Sequence, residues 1–351
     1  MEPSLWLNIV LLASFVGADR SCSPGCSCDV ETFGLFDSFR LIKVDCSGVG
    51  PHILPVSLPL DTTYLDLASN GFEDIKKSVL SGPGYTTLTN LNLSNNKIVN
   101  ISTNAFSKLR YLESLDLSHN QLVALSDHSF FYCPLVELDL SSNRLQELKI
   151  GAFTSTNNGK AINLNLANNL ISSISRRHEV GLPNIRILNL SGNELRSVYG
   201  LHGIPLQYLV LDGNPISTIN ENDFLGLEGL THLSLSNMEE LIEIAPNSFK
   251  DLSALQNLDF SNNPNLKILS KEVFFGLTSL RELNLLNSGV VSLPKDTLRF
   301  LPSMKSVTWG ESYHCIKTVK ESQFHLQNGM VRQEVVVCRD AQGAVSAQDI
   351  L

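Results

Sequence analysis

Leucine and asparagine recur along most of this chain in one spacing, in which the apolar positions alternate with polar ones. Clear copies of the pattern L-x-x-L-x-L-x-x-N are LTNLNLSNN from Leu88, LESLDLSHN from Leu112 and LVELDLSSN from Leu135. A degenerate last copy begins at Met304 and ends at Trp309. The second leucine of the pattern occurs at intervals of 21 to 26 residues, at Leu65, Leu91, Leu115, Leu138, Leu164, Leu188, Leu209, Leu233, Leu258 and Leu283. A period of this length predicts a solenoid of leucine-rich repeats.

The alternation within L-x-L predicts a short strand whose leucines point inward and whose intervening residue points outward. Strands of successive repeats would pair in parallel, so the predicted fold class is an α/β solenoid, a leucine-rich-repeat horseshoe with a parallel concave sheet. A ladder of inward asparagines should satisfy backbone groups at the strand ends, formed by Asn70, Asn96, Asn120, Asn143, Asn169, Asn193, Asn214 and Asn263. Met238 and Ser288 interrupt the ladder, which predicts looser or water-assisted bonding there unless neighbouring rungs compensate. A second core layer is predicted from Phe106, Phe130, Phe153, Phe224, Phe249 and Phe274.

The outward strand positions are the candidate binding surface. Of the 22 residues on either side of the second leucine or its equivalent, six are acidic and none is Lys or Arg. This composition favours docking of a basic or mixed protein surface, with an aromatic anchor between the acids. The alternative is that these acids are only solvated and oppose aggregation. The candidate partner-binding residues are Asp116, Glu137, Asp139, Ile187, Tyr208, Val210, His232, Asp259 and Glu282.

The two ends of the chain differ from the repeats. The apolar stretch from Leu5 to Val16, followed by small residues up to Ala18, predicts a secretory signal peptide over residues 1–18. A buried N-terminal helix is the alternative. Residues 19–60 would form a cysteine-rich cap, 61–309 about ten repeats, and 310–351 a C-terminal cap and tail. No later stretch is apolar for the roughly 18 residues that a membrane span needs, so we expect a secreted protein without membrane insertion.

Charge and motifs exclude other functions. A net charge of −9 disfavours nucleic-acid binding, which needs a basic surface. The sequence lacks a G-x-S-x-G elbow, an H-E-x-x-H helix, a P-loop and a dinucleotide fingerprint. We therefore expect a binding protein with no catalytic residues, no metal and no cofactor.

The seven cysteines concentrate at the two ends. Cys22, Cys26, Cys28 and Cys46 precede the repeats, and Cys315 and Cys338 follow them. This distribution predicts disulfide-bonded caps, with a zinc site as the alternative for the first four. Cys133 lies where neighbouring repeats have a buried leucine, which predicts a free, inert thiol rather than an intermolecular disulfide.

Three sequons predict N-glycosylation at Asn92, Asn100 and Asn189. Two of them, Asn92 and Asn189, occupy outward strand positions. Glycans there would stand on the concave face and direct binding to the rest of it.

The cysteine clusters, the repeats and several non-repeat segments together resemble the small leucine-rich proteoglycans. The segments are VETFGLFDSF from Val30, VDCSGVGPH from Val44, GPGYTTL from Gly82 and LDGNP from Leu211. The resemblance implies the pairings Cys22–Cys28, Cys26–Cys46 and Cys315–Cys338. One departure is the even spacing of the last repeats, which puts decorin-like collagen binding and dimerisation in doubt.

The same resemblance implies a secreted modulator of developmental signalling that binds ligands or receptors. The implied partners are bone morphogenetic proteins (BMP) and chordin, Frizzled in the Wnt pathway, FGF, TGF-beta and a Notch ligand. Two alternatives remain: an extracellular-matrix organiser that binds collagen fibrils, and a shed receptor ectodomain.

Overall fold

The computed structural model describes residues 22–33, 39–50, 57–77, 79–127, 129–154, 160–176, 181–294, 297–310, 313–323, 330–340 and 343–346. The predicted signal peptide over 1–18 lies outside them.

In chain order the strands are β1 (Ser27–Phe33), β2 (Phe39–Asp45), β3 (Thr62–Asp66), β4 (Asp74–Ile75), β5 (Asn90–Asn92), β6 (Asn100–Ile101), β7 (Ser114–Asp116), β8 (Glu137–Asp139), β9 (Glu147–Lys149), β10 (Ile162–Asn165), β11 (Ser173–Ser175), β12 (Ile185–Asn189), β13 (Tyr208–Val210), β14 (Thr218–Ile219), β15 (His232–Ser234), β16 (Glu243–Ile244), β17 (Asn257–Asp259), β18 (Glu282–Leu286), β19 (Ser306–Gly310), β20 (Tyr313–Gln323), β21 (Met330–Asp340) and β22 (Gly343–Ser346). The helical segments among the described residues are 3₁₀ turns over Pro83–Tyr85, Ile150–Phe153, Lys271–Phe274 and Thr297–Phe300.

Sixteen strands form one sheet in the order β1-β2-β3-β5-β7-β8-β10-β12-β13-β15-β17-β18-β19-β20-β21-β22. Pairing is parallel from β2 to β19, and the second leucine of each repeat lies opposite that of the next, as Leu65 does opposite Leu91. Three two-stranded pairs, β4–β6, β9–β11 and β14–β16, lie outside this sheet. The predicted leucine-rich-repeat solenoid is therefore confirmed.

The core is a stack of equivalent side chains from successive repeats. The repeat leucines are buried, and so are the six predicted phenylalanines. The Phe106 and Phe130 rings stack with centroids 5.9 Å apart, Phe130 and Phe153 stack at 6.1 Å, and Phe224 and Phe249 pack at 5.5 Å. The phenylalanine layer thus packs across neighbouring repeats, where burial of such rings contributes strongly to stability.

The predicted asparagine ladder is present, and Asn120 shows its geometry. Its Nδ2 donates to the carbonyls of Leu117 and Ser118 in its own repeat and of Leu93 in the preceding repeat, at 2.9–3.1 Å. Its Oδ1 accepts the Ile98 N–H at 3.0 Å. Each amide therefore joins two repeats and satisfies buried backbone groups that would otherwise be costly.

At Met238 the expectation of loose or water-assisted bonding is wrong, because the rungs on either side compensate. Asn263 on the next rung donates to the Leu235 carbonyl at 2.7 Å and accepts the Met238 N–H at 2.7 Å. Asn214 on the previous rung serves the Leu211 carbonyl at 2.7 Å. Met238 itself is fully buried, so this position contributes apolar packing where the other rungs contribute amide hydrogen bonds.

At Ser288 the shorter side chain replaces only one ladder contact. Its hydroxyl donates to the Leu285 carbonyl of its own repeat at 2.8 Å. The Phe260 carbonyl of the preceding repeat is met by Asn263 at 2.9 Å. Here too the neighbouring rung compensates.

The residue before each ladder asparagine has a positive φ, between 53° and 67°. This left-handed conformation is easy for Gly192 and Gly213 and tolerated by asparagine. It reverses the chain so that the next side chain can turn inward.

Both ends of the sheet continue into antiparallel strands. At the N-terminus β1 pairs with β2, and the disulfides Cys22–Cys28 and Cys26–Cys46 are formed. These pairings confirm the predicted N-terminal bridges and exclude the zinc alternative. At the C-terminus the backbone of Cys315 lies opposite that of Cys338. Their side chains lie outside the described part of the chain, so this bridge stays a prediction.

Candidate functional site

The concave face carries two outward rows, one on each side of the second leucine. In the sheet register each outward residue lies opposite the residue at the same position of the next repeat, for example Tyr208 opposite His232 and Val210 opposite Ser234. We name the row before the leucine row one and the row after it row two. The N-terminal half of the face is formed by β3, β5, β7, β8 and β10, and the C-terminal half by β13, β15, β17, β18 and β19. Between them lies β12, which carries Ile187 and Asn189.

Most acids and amides of row two terminate their own strands. Asp116 Oδ1 accepts the Ser118 N–H at 2.8 Å, and Asp259 Oδ1 accepts the Ser261 N–H at 2.7 Å. The same contact recurs at Asp66, Asn92, Asp139, Asn165, Asn189 and Asn284. Asp and Asn side chains make such turns with the N–H two residues on. The sequence signal for this turn is an Asp or Asn two residues before a small residue, which recurs in most repeats. A prediction that treats these side chains only as surface charges is therefore incomplete.

Asparagines also partner most row-two carboxylates across strands. Asn165 donates to Asp139 Oδ2 at 3.0 Å and Asn284 to Asp259 Oδ2 at 2.9 Å. These carboxylates therefore have structural hydrogen bonds in addition to charge. Their presence alone does not mark a binding site.

In the N-terminal half, the predicted residues Asp116, Glu137 and Asp139 lie on the neighbouring strands β7 and β8. Glu137 accepts a hydrogen bond from Asn163 on β10. Asn163 in turn accepts hydrogen bonds from the guanidinium of Arg186 at 3.2–3.3 Å.

The C-terminal half contains a cavity of about 530 Å³ that opens on the concave face. Its lining includes five of the predicted residues, Tyr208, Val210, His232, Asp259 and Glu282. It excludes the other four, Asp116, Glu137, Asp139 and Ile187. The structure thus concentrates the aromatic candidates and two acids in one place.

Tyr208 and His232 form the most organised part of this lining. Their rings stack with centroids 4.1 Å apart and planes 11° from parallel, and His232 Nδ1 lies 2.9 Å from Thr231 Oγ1. Burial lowers the pKa of His232 below its usual value, while the nearby Glu282 carboxylate acts in the opposite direction. The imidazole is therefore mainly neutral near pH 7.

Cations lie at the strand starts rather than in the two rows. Arg186, Arg281 and Lys305 are exposed at the edge of the concave face, one residue before row one. They do not line the cavity. Lys and Arg are therefore absent from rows one and two, but they occur at the position just before row one.

The remaining predicted residues lie apart from the cavity. Asn92 on β5 and Asn189 on β12 are half-buried on the concave face, while Asn100 on β6 is exposed on a flanking strand. Cys133 is buried with its thiol 3.4 Å from the Phe106 carbonyl, and it is not in a disulfide. Burial raises the pKa of this thiol to about 12.

Within the described ranges, His, Cys, Asp and Glu side chains form no group of three or more that could hold a metal ion. The same part of the chain contains no helix long and apolar enough to cross a membrane.

Known proteins share the repeats and, in some cases, the entire chain. A family model described as leucine rich repeat matches residues 62–122, 86–137, 133–195 and 237–290. Tsukushi of Xenopus tropicalis is 66% identical over 351 residues, covering 100% of both chains. Tsukushi of Homo sapiens is 50% identical over 345 residues, covering 97% of this chain and 98% of its own. The solved mouse RP105/MD-1 complex has a chain with a TM-score of 0.58 and 25% identity, covering 72% of this chain and 42% of that one.

Proposed function

Because the chain belongs to the Tsukushi family of leucine-rich-repeat proteins, we propose that it is a secreted modulator that binds signalling proteins through its concave face. Its repeats are of a kind that typically serves as a non-enzymatic, protein-binding scaffold. The observation that carries the proposal is the cavity of the C-terminal half, where a stacked aromatic pair meets two carboxylates. Aromatic anchors in concave surroundings are the usual centres of protein interfaces.

The proposed organisation is a signal peptide over 1–18, a cap over 19–60, repeats over 61–309 and a C-terminal cap and tail over 310–351. The two N-terminal disulfides are consistent with an extracellular protein. Glycans proposed at Asn92 and Asn189 would cover the N-terminal half and the strand between the halves. That arrangement leaves the C-terminal half accessible.

The proposed partners are secreted ligands and receptors of developmental pathways: bone morphogenetic proteins, chordin, Frizzled, FGF, TGF-beta and a Notch ligand. The test is surface binding of the secreted, glycosylated chain to a Frizzled cysteine-rich domain, to a bone morphogenetic protein with and without chordin, and to fibrillar collagen. We expect saturable binding to at least one signalling protein.

A glycan placed on the concave face tests whether that face carries the binding. Asp116→Asn and Asp259→Asn each create a sequon, Asn-Leu-Ser and Asn-Phe-Ser, and keep the oxygen that caps the strand. The double variant should lose binding, and Ser118→Ala with Ser261→Ala, which remove the new glycans but keep both asparagines, should restore most of it. The loss that remains measures the contribution of the two carboxylates. Binding to collagen alone would refute the modulator proposal in favour of a matrix role. Unchanged ligand binding by the doubly glycosylated variant would place the site elsewhere.

A further inference from the structure

We infer that the cavity of the C-terminal half is a receptor site for an arginine side chain of a partner protein, which inserts between His232 and Glu282. This inference rests on the proposed protein-binding function and specifies the chemistry of the partner. It follows from the order of side chains along row one, the charge of the lining and the geometry of the aromatic pair.

The order along row one provides a slot. Tyr208, His232, Asn257 and Glu282 lie on the successive strands β13, β15, β17 and β18. One face of the imidazole is stacked on Tyr208, so its other face is directed towards the strand that carries Asn257. With strands about 4.8 Å apart, the backbone of His232 and that of Glu282 are about 10 Å apart. A flat group can enter above Asn257, between a ring on one side and a carboxylate on the other.

The charge of the lining favours a cation in that slot. Asp259 and Glu282 are the acids of the lining, and no Lys or Arg belongs to it. Their side chains accept hydrogen bonds from the neutral amides of Asn284 and Asn257. The imidazole adds no full positive charge, because its burial favours the neutral form. The net field in the cavity is therefore negative, and the edge cation Arg281 lies outside the lining.

Arginine satisfies this geometry better than lysine. Its guanidinium is planar, so it can stack on an aromatic ring while its edge donates to a carboxylate. An ammonium group would make the ion pair but would gain little from the ring face. Glu137 in the N-terminal half differs, because its partner Asn163 already accepts from Arg186 and Glu137 does not line the cavity with the Tyr208–His232 pair.

The test uses immobilised Gly/Ser peptides that carry spaced arginines, with citrulline and lysine versions at the same density, and the full chain in solution. Citrulline keeps the shape of arginine and removes its charge. We expect the arginine peptide to bind at least about tenfold more strongly than the citrulline peptide, and measurably more strongly than the lysine peptide.

Matched variants locate the binding. Glu282→Gln and His232→Ala should each weaken arginine-peptide binding about tenfold. Glu137→Gln removes a row-one carboxylate that also accepts an asparagine amide but lies outside the cavity lining, and it should change this binding by less than about twofold. Equal binding of arginine and citrulline peptides would overturn the inference. So would equal losses for Glu137→Gln and Glu282→Gln, since that result would indicate attraction by net charge alone.

The peptide assay separates this inference from the proposed function. Arginine-selective binding that depends on Glu282 would support the receptor site even if no signalling protein in the panel bound. Saturable binding of a signalling protein without arginine selectivity would leave the proposed function in place and remove the receptor site.

Discussion

In the N-terminal half of the concave face Glu137 accepts a hydrogen bond from Asn163, and in the C-terminal half Glu282 accepts one from Asn257. The two contacts share their chemistry, but Glu137 precedes its donor along the sheet and Glu282 follows it, and Asn163 also accepts a hydrogen bond from Arg186. The second lies beside a stacked aromatic pair and lines the cavity described above, whereas Glu137 does not line that cavity. Carboxylates are therefore a general property of this face, whereas the proposed binding site lies where carboxylates, the stacked rings and the cavity occur together.

The asparagine ladder beneath the two halves differs as well, and this difference gives the largest expected change in the free energy of unfolding. In the N-terminal half the Leu117 carbonyl receives two ladder amides, from Asn120 and Asn143. In the C-terminal half the Leu235 carbonyl receives one, from Asn263, because Met238 cannot donate. Asn263→Ala should therefore lower the free energy of unfolding by about 4 kcal/mol and Asn143→Ala by about 2 kcal/mol, measured by denaturant unfolding.

Met238→Asn provides the control, since a second amide near the Leu235 carbonyl should reduce the cost of Asn263→Ala. Equal costs for the two alanine variants in the wild-type background would show that the doubled bonding is not energetically relevant.

Single glycans separate the halves as binding surfaces. A glycan at Asp259→Asn should reduce binding of the protein partner at least about tenfold, because it fills the cavity, while one at Asp116→Asn should have less than a twofold effect. Surface binding measures both, and mass spectrometry verifies occupancy. The reverse order of effects would move the site to the N-terminal half.

A titratable group lies under the N-terminal half, on the convex side. The Cys133 thiol has its pKa raised to about 12 by burial, from an ordinary value of 9.0. Above about pH 9 the unfolded chain releases this proton while the folded chain retains it, so the contribution of the thiol to stability falls as pH rises. At pH 10 the loss should approach about 1.4 kcal/mol.

The measurement is the difference in unfolding free energy between the wild type and Cys133→Ala from pH 7 to 10. The titration of lysines and tyrosines contributes equally to both proteins and therefore cancels in this difference. A difference that is constant with pH would mean that the thiol is solvated in the folded protein.

The smallest expected effect concerns the stability of the matched carboxylates. Glu137 and Glu282 are exposed, so Glu137→Gln and Glu282→Gln should each change the unfolding free energy by less than about 0.5 kcal/mol. Thermal unfolding checks this. A larger loss for Glu282→Gln would mean that any binding defect of that variant reflects damage to the fold.

Much of this architecture can be predicted from the sequence, because each repeat has the same local structure and the whole fold is a stack of such repeats. The strand positions, the asparagine ladder and the phenylalanine layer follow from spacing alone. Compensation at Met238 is one of the predicted alternatives, but choosing it requires the distances from Asn263. Row two is less well predicted. Asp116, Asp139 and Asp259 are expected there as surface charges, although an Asp or Asn two residues before a small residue indicates a strand-terminating turn.

The cavity could not be predicted in the same way. Register places Tyr208 and His232 on adjacent strands, and this much is readable from the sequence. Whether their rings stack depends on rotamers, and the free volume depends on sheet curvature and on the side chains of several strands. These are properties of packing that no single repeat encodes.

The stacked pair also limits how this array can evolve. Tyr208 and His232 belong to consecutive repeats, and the two rings meet because one strand spacing separates them. Duplication of a whole repeat before Tyr208 or after Glu282 would preserve that neighbourhood, since every copy adds the same rise. Duplication between them would separate the rings or the carboxylate by another strand spacing. A function assembled across repeats therefore fixes the copy number over that stretch, even though the fold itself would accept one more unit.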